Sequence, residues 1–193
     1  MLDYLREGNR RFVNNQPLAK DYYQERDQLK NGQNPHAVIV TCSDSRIPVG
    51  HIFDEAFGKF FVIRTAGNII DTIELGSIEF AVGELNTSLL LILGHRKCGA
   101  IQVAIDDYPL HSKNLDAIIE KVKPAVTEAK VHHNNYDDVW EDAIKRNVLN
   151  QVDYILENSI IVKNLADENK LKIITGIYDI ETGVVEFINC TNQ

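Results

Sequence analysis

The sequence is poor in cysteine and tryptophan and contains no long apolar run. Its 193 residues include three cysteines and one tryptophan. A small, odd number of cysteines does not indicate a disulfide framework, so metal binding, catalysis and simple burial are the roles to weigh. No segment approaches the roughly 18 apolar residues of a membrane helix, and the first residues lack the apolar stretch of a signal peptide. We therefore expect no membrane partner and a cytoplasmic location.

Basic residues are also in deficit, with a formal net charge of -8. No basic stripe interleaved with aromatic residues occurs, so we expect no nucleic-acid partner. The remaining composition, 44% hydrophobic and 25% charged, is that of an ordinary globular protein. This length predicts a single domain over residues 1–193, with an N-terminal helical arm at 1–34 and an α/β core at 35–193.

Short apolar runs rich in β-branched residues predict strands, and helical patterns separate them. Strands that alternate with helices indicate a parallel sheet. The expected fold is α/β, with a central, mostly parallel sheet of about four strands, an antiparallel C-terminal edge strand, and helices on both faces. The predicted strands are residues 37–41, 60–64, 88–94 and 171–177, with 184–188 as the edge strand.

Helical spacing of apolar residues predicts the other elements. Pro124 is expected to kink or restart the helix that contains it. Ser159 is a plausible N-cap for the last helix. The predicted helices are residues 2–14 and 21–31 in the arm, then 73–81, 114–130, 137–157 and 161–167.

Polar clusters follow three of the predicted strands. They are Cys42-Ser-Asp-Ser-Arg46, Arg64-Thr-Ala-Gly-Asn68 and Gly94-His-Arg-Lys-Cys-Gly-Ala100. In open parallel sheets, ligands bind outside the carboxyl ends of the strands, so these clusters are expected to meet in one site.

Cys42, His95 and Cys98 are the candidate metal ligands. Two thiolates and one imidazole suit zinc, and three protein ligands leave a fourth position open, which is the catalytic pattern. The His-x-x-Cys spacing lets His95 and Cys98 bind one ion from a single turn. Cys190 lacks such a setting and is predicted to be a small buried hydrophobic residue.

Asp44 has two possible roles that the residues leave open. It could be a conditional fourth zinc ligand, which would silence the enzyme. It could instead pair with Arg46 through a bidentate fork and leave the fourth position to water, whose pKa zinc would lower to supply hydroxide near neutral pH. Gly67, next to Ala66, either allows a close backbone approach to a small substrate or simply forms a turn.

Together these motifs resemble those of the β-class carbonic anhydrases. The resemblance also includes Gly76-Ser-Ile-Glu-Phe-Ala-Val82, Gly176-Ile-Tyr-Asp179 and Thr182-Gly-Val184, and it covers nearly the whole chain from about residue 8. It implies reversible hydration of carbon dioxide to bicarbonate by a zinc enzyme.

The resemblance further implies one zinc ion per chain held by Cys42, His95 and Cys98, with an Asp44/Arg46 catalytic dyad beside it. It implies a homodimer or dimer-based tetramer with active sites near the subunit boundary, and N-terminal helices that reach the partner subunit. We predict that Ala66, Gly67 and Phe53 line the substrate pocket.

Two positions depart from the family pattern. Some bacterial members close the site through a bicarbonate pocket built from Trp, Arg and Tyr, and here those places hold Ile39, Arg64 and Tyr178. Without the Trp, we expect an open site at neutral pH with Asp44 paired to Arg46. Position 96, commonly small in the family, is Arg96, which is expected to face solvent.

Two alternative functions remain at this point. The same fold and metal could hydrolyse carbonyl sulfide or carbon disulfide, because these linear electrophiles make the same demand on a zinc hydroxide. The chain could instead be a non-catalytic zinc-binding module, which would need Asp44 as a permanent fourth ligand.

Overall fold

A five-stranded sheet forms the centre of the structure, a computed structural model that describes residues 1–191 and the side chains of residues 1–188. The strand order is β2-β1-β3-β4-β5. The first four strands are parallel and β5 runs antiparallel to β4, which confirms the predicted fold class. The strands are β1 (Ala37–Cys42), β2 (Phe60–Thr65), β3 (Leu89–His95), β4 (Lys172–Tyr178) and β5 (Val185–Thr191).

Eight α-helices surround this sheet in the described part of the chain. A 3₁₀ turn at Ala66–Asn68 follows β2, and a π-helical turn at Phe80–Glu84 continues α4. Ser159 caps α8 as predicted, because its Oγ accepts a hydrogen bond from the Val162 N–H at 3.2 Å. The helices are α1 (Leu2–Val13), α2 (Tyr22–Gln28), α3 (Val49–Ile52), α4 (Thr72–Glu79), α5 (Gly99–Asp106), α6 (Lys113–His132), α7 (Tyr136–Asn158) and α8 (Ile160–Asp167).

Strand β1 is buried on both faces, as its uninterrupted apolar sequence predicts. Val38 and Val40 point to one side and pack with residues of α4, α7 and α8. Ile39 points to the other side and packs with residues of α1 and α3. Burial of each such side chain stabilises the fold by about 1.5–3 kcal/mol, so the central strands are held rigidly between two helical layers.

Helix α6 runs through Pro124 as one element. The restart at this residue, one of the two outcomes expected from the sequence, does not occur. Pro124 and Glu120, whose carbonyl loses its helical partner to the proline, both lie on the exposed side. The buried stripe formed by Val122, Val126 and their neighbours holds the helix together across the defect.

Helix α1 packs against the core of its own chain. Its Asn9 side chain is buried, donates to the Ile52 and Gly183 carbonyls at 3.1 and 2.8 Å, and accepts from the Val185 N–H at 2.9 Å. Helix α2 has no buried residue. Contact of the N-terminal helices with a partner subunit stays a prediction. None of the described helices is both long and apolar enough to cross a membrane.

The strand order creates a crevice in which a ligand can bind. From β1 the chain adds β2 on one side and then crosses to place β3 on the other side. A crevice therefore opens between the carboxyl ends of β1 and β3, where α/β sheets bind their ligands. These two strands end at Cys42 and His95.

Candidate metal centre

Neighbouring strands bring Cys42 and His95 together. β1 and β3 pair in parallel, with Thr41 opposite Leu93, so the two strands end side by side. The Thr41 hydroxyl donates to the Leu93 carbonyl at 2.8 Å and ties the strands together just before the site. Both Cys42 and His95 are buried.

Cys98 reaches the same point through a tight turn. Lys97 adopts a left-handed conformation with φ 57°, and this reverses the chain between His95 and Cys98. The Cys98 carbonyl accepts a hydrogen bond from Trp140 Nε1 of α7 at 3.3 Å. The turn is thus anchored from a helix more than 40 residues away in sequence.

The potential ligand atoms of Cys42, His95 and Cys98 all lie within 4.8 Å of one another. His95 Nδ1 lies 2.9 Å from the Arg96 carbonyl, and because a carbonyl only accepts, this nitrogen carries the proton. His95 Nε2 is therefore left with its lone pair, and it is buried without a hydrogen-bond partner. A buried nitrogen lone pair beside two thiols is a set of groups that a metal ion would bind.

The two thiols differ in protonation. A hydrogen bond from Cys98 lowers the pKa of Cys42, and the backbone N–H groups of Asp44 and Gly67 act in the same direction, against the effect of burial. The hydrogen bond to Cys42 and burial raise the pKa of Cys98, because a second negative charge beside the first is unfavourable. A divalent cation would relieve this repulsion and allow both sulfurs to be thiolates.

Asp44 and Arg46 form a bidentate ion pair beside the cluster. Arg46 Nε and Nη2 donate to Oδ1 and Oδ2 of Asp44 at 2.9 and 2.7 Å, and the Arg46 backbone N–H also reaches Oδ1 at 2.9 Å. The hydrogen bonds from Arg46 lower the pKa of Asp44 to about 2. Both carboxylate oxygens are therefore engaged by arginine.

Arg64 has a role that the sequence did not reveal. From the edge strand β2, its Nε and Nη2 donate to the carbonyls of Cys42 and Asp44 at 3.1 and 2.6 Å. It thereby fixes the backbone that carries the candidate ligand and the ion pair. Ile39 and Tyr178, the other two residues compared with a bicarbonate pocket, are both buried.

The three predicted pocket residues do not all lie together. Ala66 and Gly67 form the 3₁₀ turn after β2, and the Gly67 N–H donates to Cys42 Sγ at 3.3 Å. Phe53 is fully buried with α1 and α3 in a core cluster separate from that of Cys42, and its ring packs edge-on against Phe60. Its place in the substrate pocket stays a prediction.

Arg96 is only partly exposed, because ion pairs hold its side chain. Its guanidinium lies 3.4 Å from Glu141 of α7 and 3.8 Å from Asp179, which follows β4. The neighbouring Lys97 pairs with Glu181. These contacts brace the turn between His95 and Cys98 from two sides. Cys190 lies in β5, outside the residues whose side chains are described.

Comparison with known proteins places this site in a family. A family model described as carbonic anhydrase matches residues 37–185, which is well over half of the chain. The chain belongs to the carbonic anhydrase family. Carbonic anhydrase 2 of Mycobacterium tuberculosis is 36% identical over 183 residues, covering 93% of this chain and 87% of that protein. The carbonic anhydrase of Synechococcus elongatus is 32% identical over 199 residues, covering 97% of this chain and 71% of that protein.

Structural similarity identifies the β class. The β-carbonic anhydrase of Coccomyxa, solved in complex with acetazolamide, superposes with a TM-score of 0.80 at 27% identity, covering 98% of this chain and 87% of that one. Hydration of carbon dioxide is the general activity of carbonic anhydrases, and those of the β class use zinc. The buried Cys42, His95 and Cys98 cluster could hold such an ion.

Proposed function

We propose that this β-carbonic anhydrase hydrates carbon dioxide reversibly, with one zinc ion held by Cys42, His95 and Cys98. The observation that carries the proposal is the convergence of their ligand atoms within 4.8 Å, with His95 Nε2 buried and unpartnered. In the reaction a water oxygen forms a bond to the carbon of carbon dioxide, and one proton is released with bicarbonate.

The chain contributes the ligand set and its orientation. When bound, zinc supplies Lewis acidity that brings the pKa of a water molecule towards neutrality. The Arg96 carbonyl accepts the hydrogen bond from His95 Nδ1, which leaves Nε2 as the nitrogen that would bind the metal. Burial of the ligands keeps competing solvent away and strengthens their electrostatic interaction with a cation.

Asp44 orients the attacking water in this proposal. Its lowered pKa keeps the carboxylate ionised throughout the neutral range, so it can accept a hydrogen bond but cannot donate one. Arg46 holds both oxygens in one plane, which a lysine could not reproduce. Water would therefore be held with its proton towards Asp44 and its oxygen lone pair towards the substrate.

The same contacts support an open site at neutral pH. Because Arg46 engages both oxygens of Asp44, a move of the carboxylate to the metal would break two charge-assisted hydrogen bonds. A crystal structure of the zinc-loaded protein at about pH 7.5 should keep the Asp44–Arg46 pair and leave the fourth zinc position to water. A bond between zinc and Asp44 there would contradict this part of the proposal.

Ala66 and Gly67 are proposed to line the substrate pocket beside Cys42. Their turn lies against the Cys42 sulfur, so its backbone is next to the proposed zinc position. The predicted role of Phe53 has less support, because this residue lies in another core cluster. The pocket is therefore proposed mainly from the 66–67 turn.

Stopped-flow measurement of carbon dioxide hydration tests the proposal. The zinc-loaded protein should be active between about pH 7 and 9, and a chelator should abolish the activity. Cys98→Ser should remove zinc and activity together, whereas Cys190→Ser, the matched control at the third cysteine, should keep both. Absence of hydration by the zinc-loaded protein would reject the proposal, and hydrolysis of carbonyl sulfide instead would identify the alternative substrate.

We further propose assembly into a homodimer or dimer-based tetramer through the edge strand β2. Val62 on this edge is 41% exposed, and the partly buried Phe61 packs near the exposed Phe80. An exposed apolar edge strand is a ready surface for pairing with a second chain. Val62→Lys should shift the molar mass in light scattering from oligomer to monomer, while Val131→Lys, an exposed valine on α6, should leave the mass unchanged.

A cytoplasmic location fits the chemistry of the ligands. Cys42 and Cys98 are both free thiols, and their sulfur atoms lie within 4.8 Å of each other. A reducing compartment keeps such thiols available for metal binding.

A further inference from the structure

Two buried amide side chains on α7 connect this helix to the turn after β2. Asn147 and Gln151 are four residues apart and face inward together. The Ile70 N–H donates to Gln151 Oε1 at 2.8 Å, and Gln151 Nε2 donates to Asn147 Oδ1 at 3.3 Å. Asn147 Nδ2 then donates to the Gly67 carbonyl at 2.8 Å. The two amides thus hold both ends of the segment 67–70.

The same segment ends at a candidate metal ligand. The Gly67 N–H donates to Cys42 Sγ at 3.3 Å, so the hydrogen-bond chain runs from the interior of α7 to the sulfur. A bond from an N–H group to the sulfur fixes the direction of its remaining lone pairs and so orients it for a metal ion. The direction of the Gly67 N–H depends on how its own carbonyl and the next peptides are held.

Backbone geometry shows that this direction is tightly constrained. Gly67 has a φ of 70°, in the left-handed region that glycine tolerates. A Cβ at this position would lie 3.1 Å from the Ala100 side chain and 3.3 Å from that of Val122. The turn is therefore wedged between α5 and α6, and the amides of α7 fix its third side.

Close packing of α7 on β3 places the amides within reach. A Cβ at Gly94 would come within 2.5 Å of Val148, so a side chain there would push the helix away. Asn147 and Gln151 need this approach to reach the turn. If either amide were replaced by an apolar group, the buried Gly67 carbonyl or Ile70 N–H would lose its partner, and the turn would shift to recover one.

We infer that Asn147 and Gln151 are positioning residues that hold the Gly67 N–H on the Cys42 sulfur and thereby set how tightly this chain retains zinc. The inference rests on the proposed zinc site, and it adds two residues that contact neither metal nor substrate. Residues that orient a ligand in this way typically change metal affinity by 10-fold to 100-fold when mutated.

The test measures zinc affinity by competition with a chelator of known affinity. Asn147→Leu and Gln151→Met keep the side-chain volume approximately and remove the amide, so each should weaken zinc binding by about 10-fold or more. Val152→Ala is the control, because this buried residue lies on the same helix but packs in a core cluster that does not contain Cys42. It should lower the melting temperature and leave zinc affinity within about twofold.

A second readout is independent of metal. In the zinc-free protein, the Gly67 amide proton should exchange with solvent at least about tenfold faster in Asn147→Leu than in Val152→Ala, because its hydrogen bond to Cys42 is no longer held. Amide exchange is followed by nuclear magnetic resonance on the full chain.

The outcomes separate this inference from the proposed function. If the unmodified protein fails to bind zinc, the proposed function and this inference both fall. If it binds zinc and the amide variants bind equally well, or no more weakly than Val152→Ala, only the inference is overturned. If Asn147→Leu does not fold, the zinc affinities of Asn147→Ser and Gln151→Met test the inference instead. Failure of all three to fold while Val152→Ala folds would also reject the inference, because the amides would then serve the fold as a whole.

Discussion

Two aspartates in this protein have the same lowered pKa for different reasons. Asp44 pairs with Arg46, its neighbour two residues away, and their side chains are 17% and 50% exposed. Asp54 has a side chain only 1% exposed and pairs with Arg11 and Lys20. Arg46 lowers the pKa of Asp44 to about 2. Burial alone would raise the pKa of Asp54, but Arg11, Lys20 and the Leu18 N–H outweigh it and lower the value to about 2.

The difference teaches what each pair does for the molecule. The Asp44 pair closes a local loop at the mouth of the site, so few contacts would be lost if it opened. The Asp54 pair joins three distant pieces of chain, because Arg11 lies in α1, Lys20 precedes α2, and Asp54 follows α3. A similar pKa thus reflects a local pair beside the site in one case and a connection between arm and core in the other.

The largest effect is expected from Asp44→Asn on catalysis. The amide nitrogen would face the Arg46 donors, and the carboxylate that accepts the hydrogen bond from water would be lost. Carbon dioxide hydration should fall by about 100-fold or more, within the usual contribution of a positioned acid or base. The melting temperature should fall less than in Asp54→Asn, because the half-exposed Arg46 can be solvated when it loses its partner. Stopped-flow assays and thermal unfolding check this, and a loss of activity below about threefold would remove Asp44 from the mechanism.

Asp54→Asn should have the opposite profile. Removal of the charge leaves Arg11 and Lys20 without their partner, and breaking a buried ion pair costs about 3 kcal/mol of unfolding free energy. The folded variant should keep its hydration activity. Urea denaturation measures the loss, with Asp27→Asn as control, since its pair with Lys30 is exposed on both sides and contributes almost nothing. Equal stability of the two variants would show that the Asp54 pair does not hold the arm to the core.

Acid should remove the contribution of Asp54 to stability, and comparison with Asp54→Asn isolates it. A folded pKa of about 2, below the model-peptide value of 3.8, means that this stability is present above about pH 4 and is lost as pH falls through 2. Between pH 5 and pH 3 the zinc-free protein should lose about 1 kcal/mol more stability than Asp54→Asn. Urea unfolding at both pH values checks this, and parallel losses would contradict it.

Much of the sheet could be predicted from the sequence, and the reason is physical. β1 and β3 are buried at every position, so their apolar runs are uninterrupted and stand out. The parallel order then brings Cys42 and His95 together, since both follow such strands. By contrast, α3 has only four residues and leaves no periodic signal. Continuity of α6 through Pro124 depends on tertiary packing, which local sequence does not encode.

The residues that support the site are harder to predict from the sequence than the candidate ligands. Lys97 has a left-handed backbone that its side chain gives no reason to expect. Asn147 and Gln151 are 80 or more residues from the turn that they hold, and Arg64 acts through carbonyl groups of another strand. Hydrogen bonds to backbone atoms depend on three-dimensional proximity, and they leave no motif in a single sequence.

The smallest effect is expected from Arg46→Lys, which keeps the charge of the functional pair and changes only its geometry. Lysine cannot donate to both oxygens of Asp44 in the parallel arrangement that Arg46 uses. The carboxylate should rotate more freely, and hydration should fall by about fivefold with no change in melting temperature. Arg11→Lys is the matched change at the other aspartate, where Lys20 remains as a second cation and activity should not change. If Arg46→Lys lowered the melting temperature as much as Arg11→Lys does, both aspartates would be structural locks, and the contrast between them would fail.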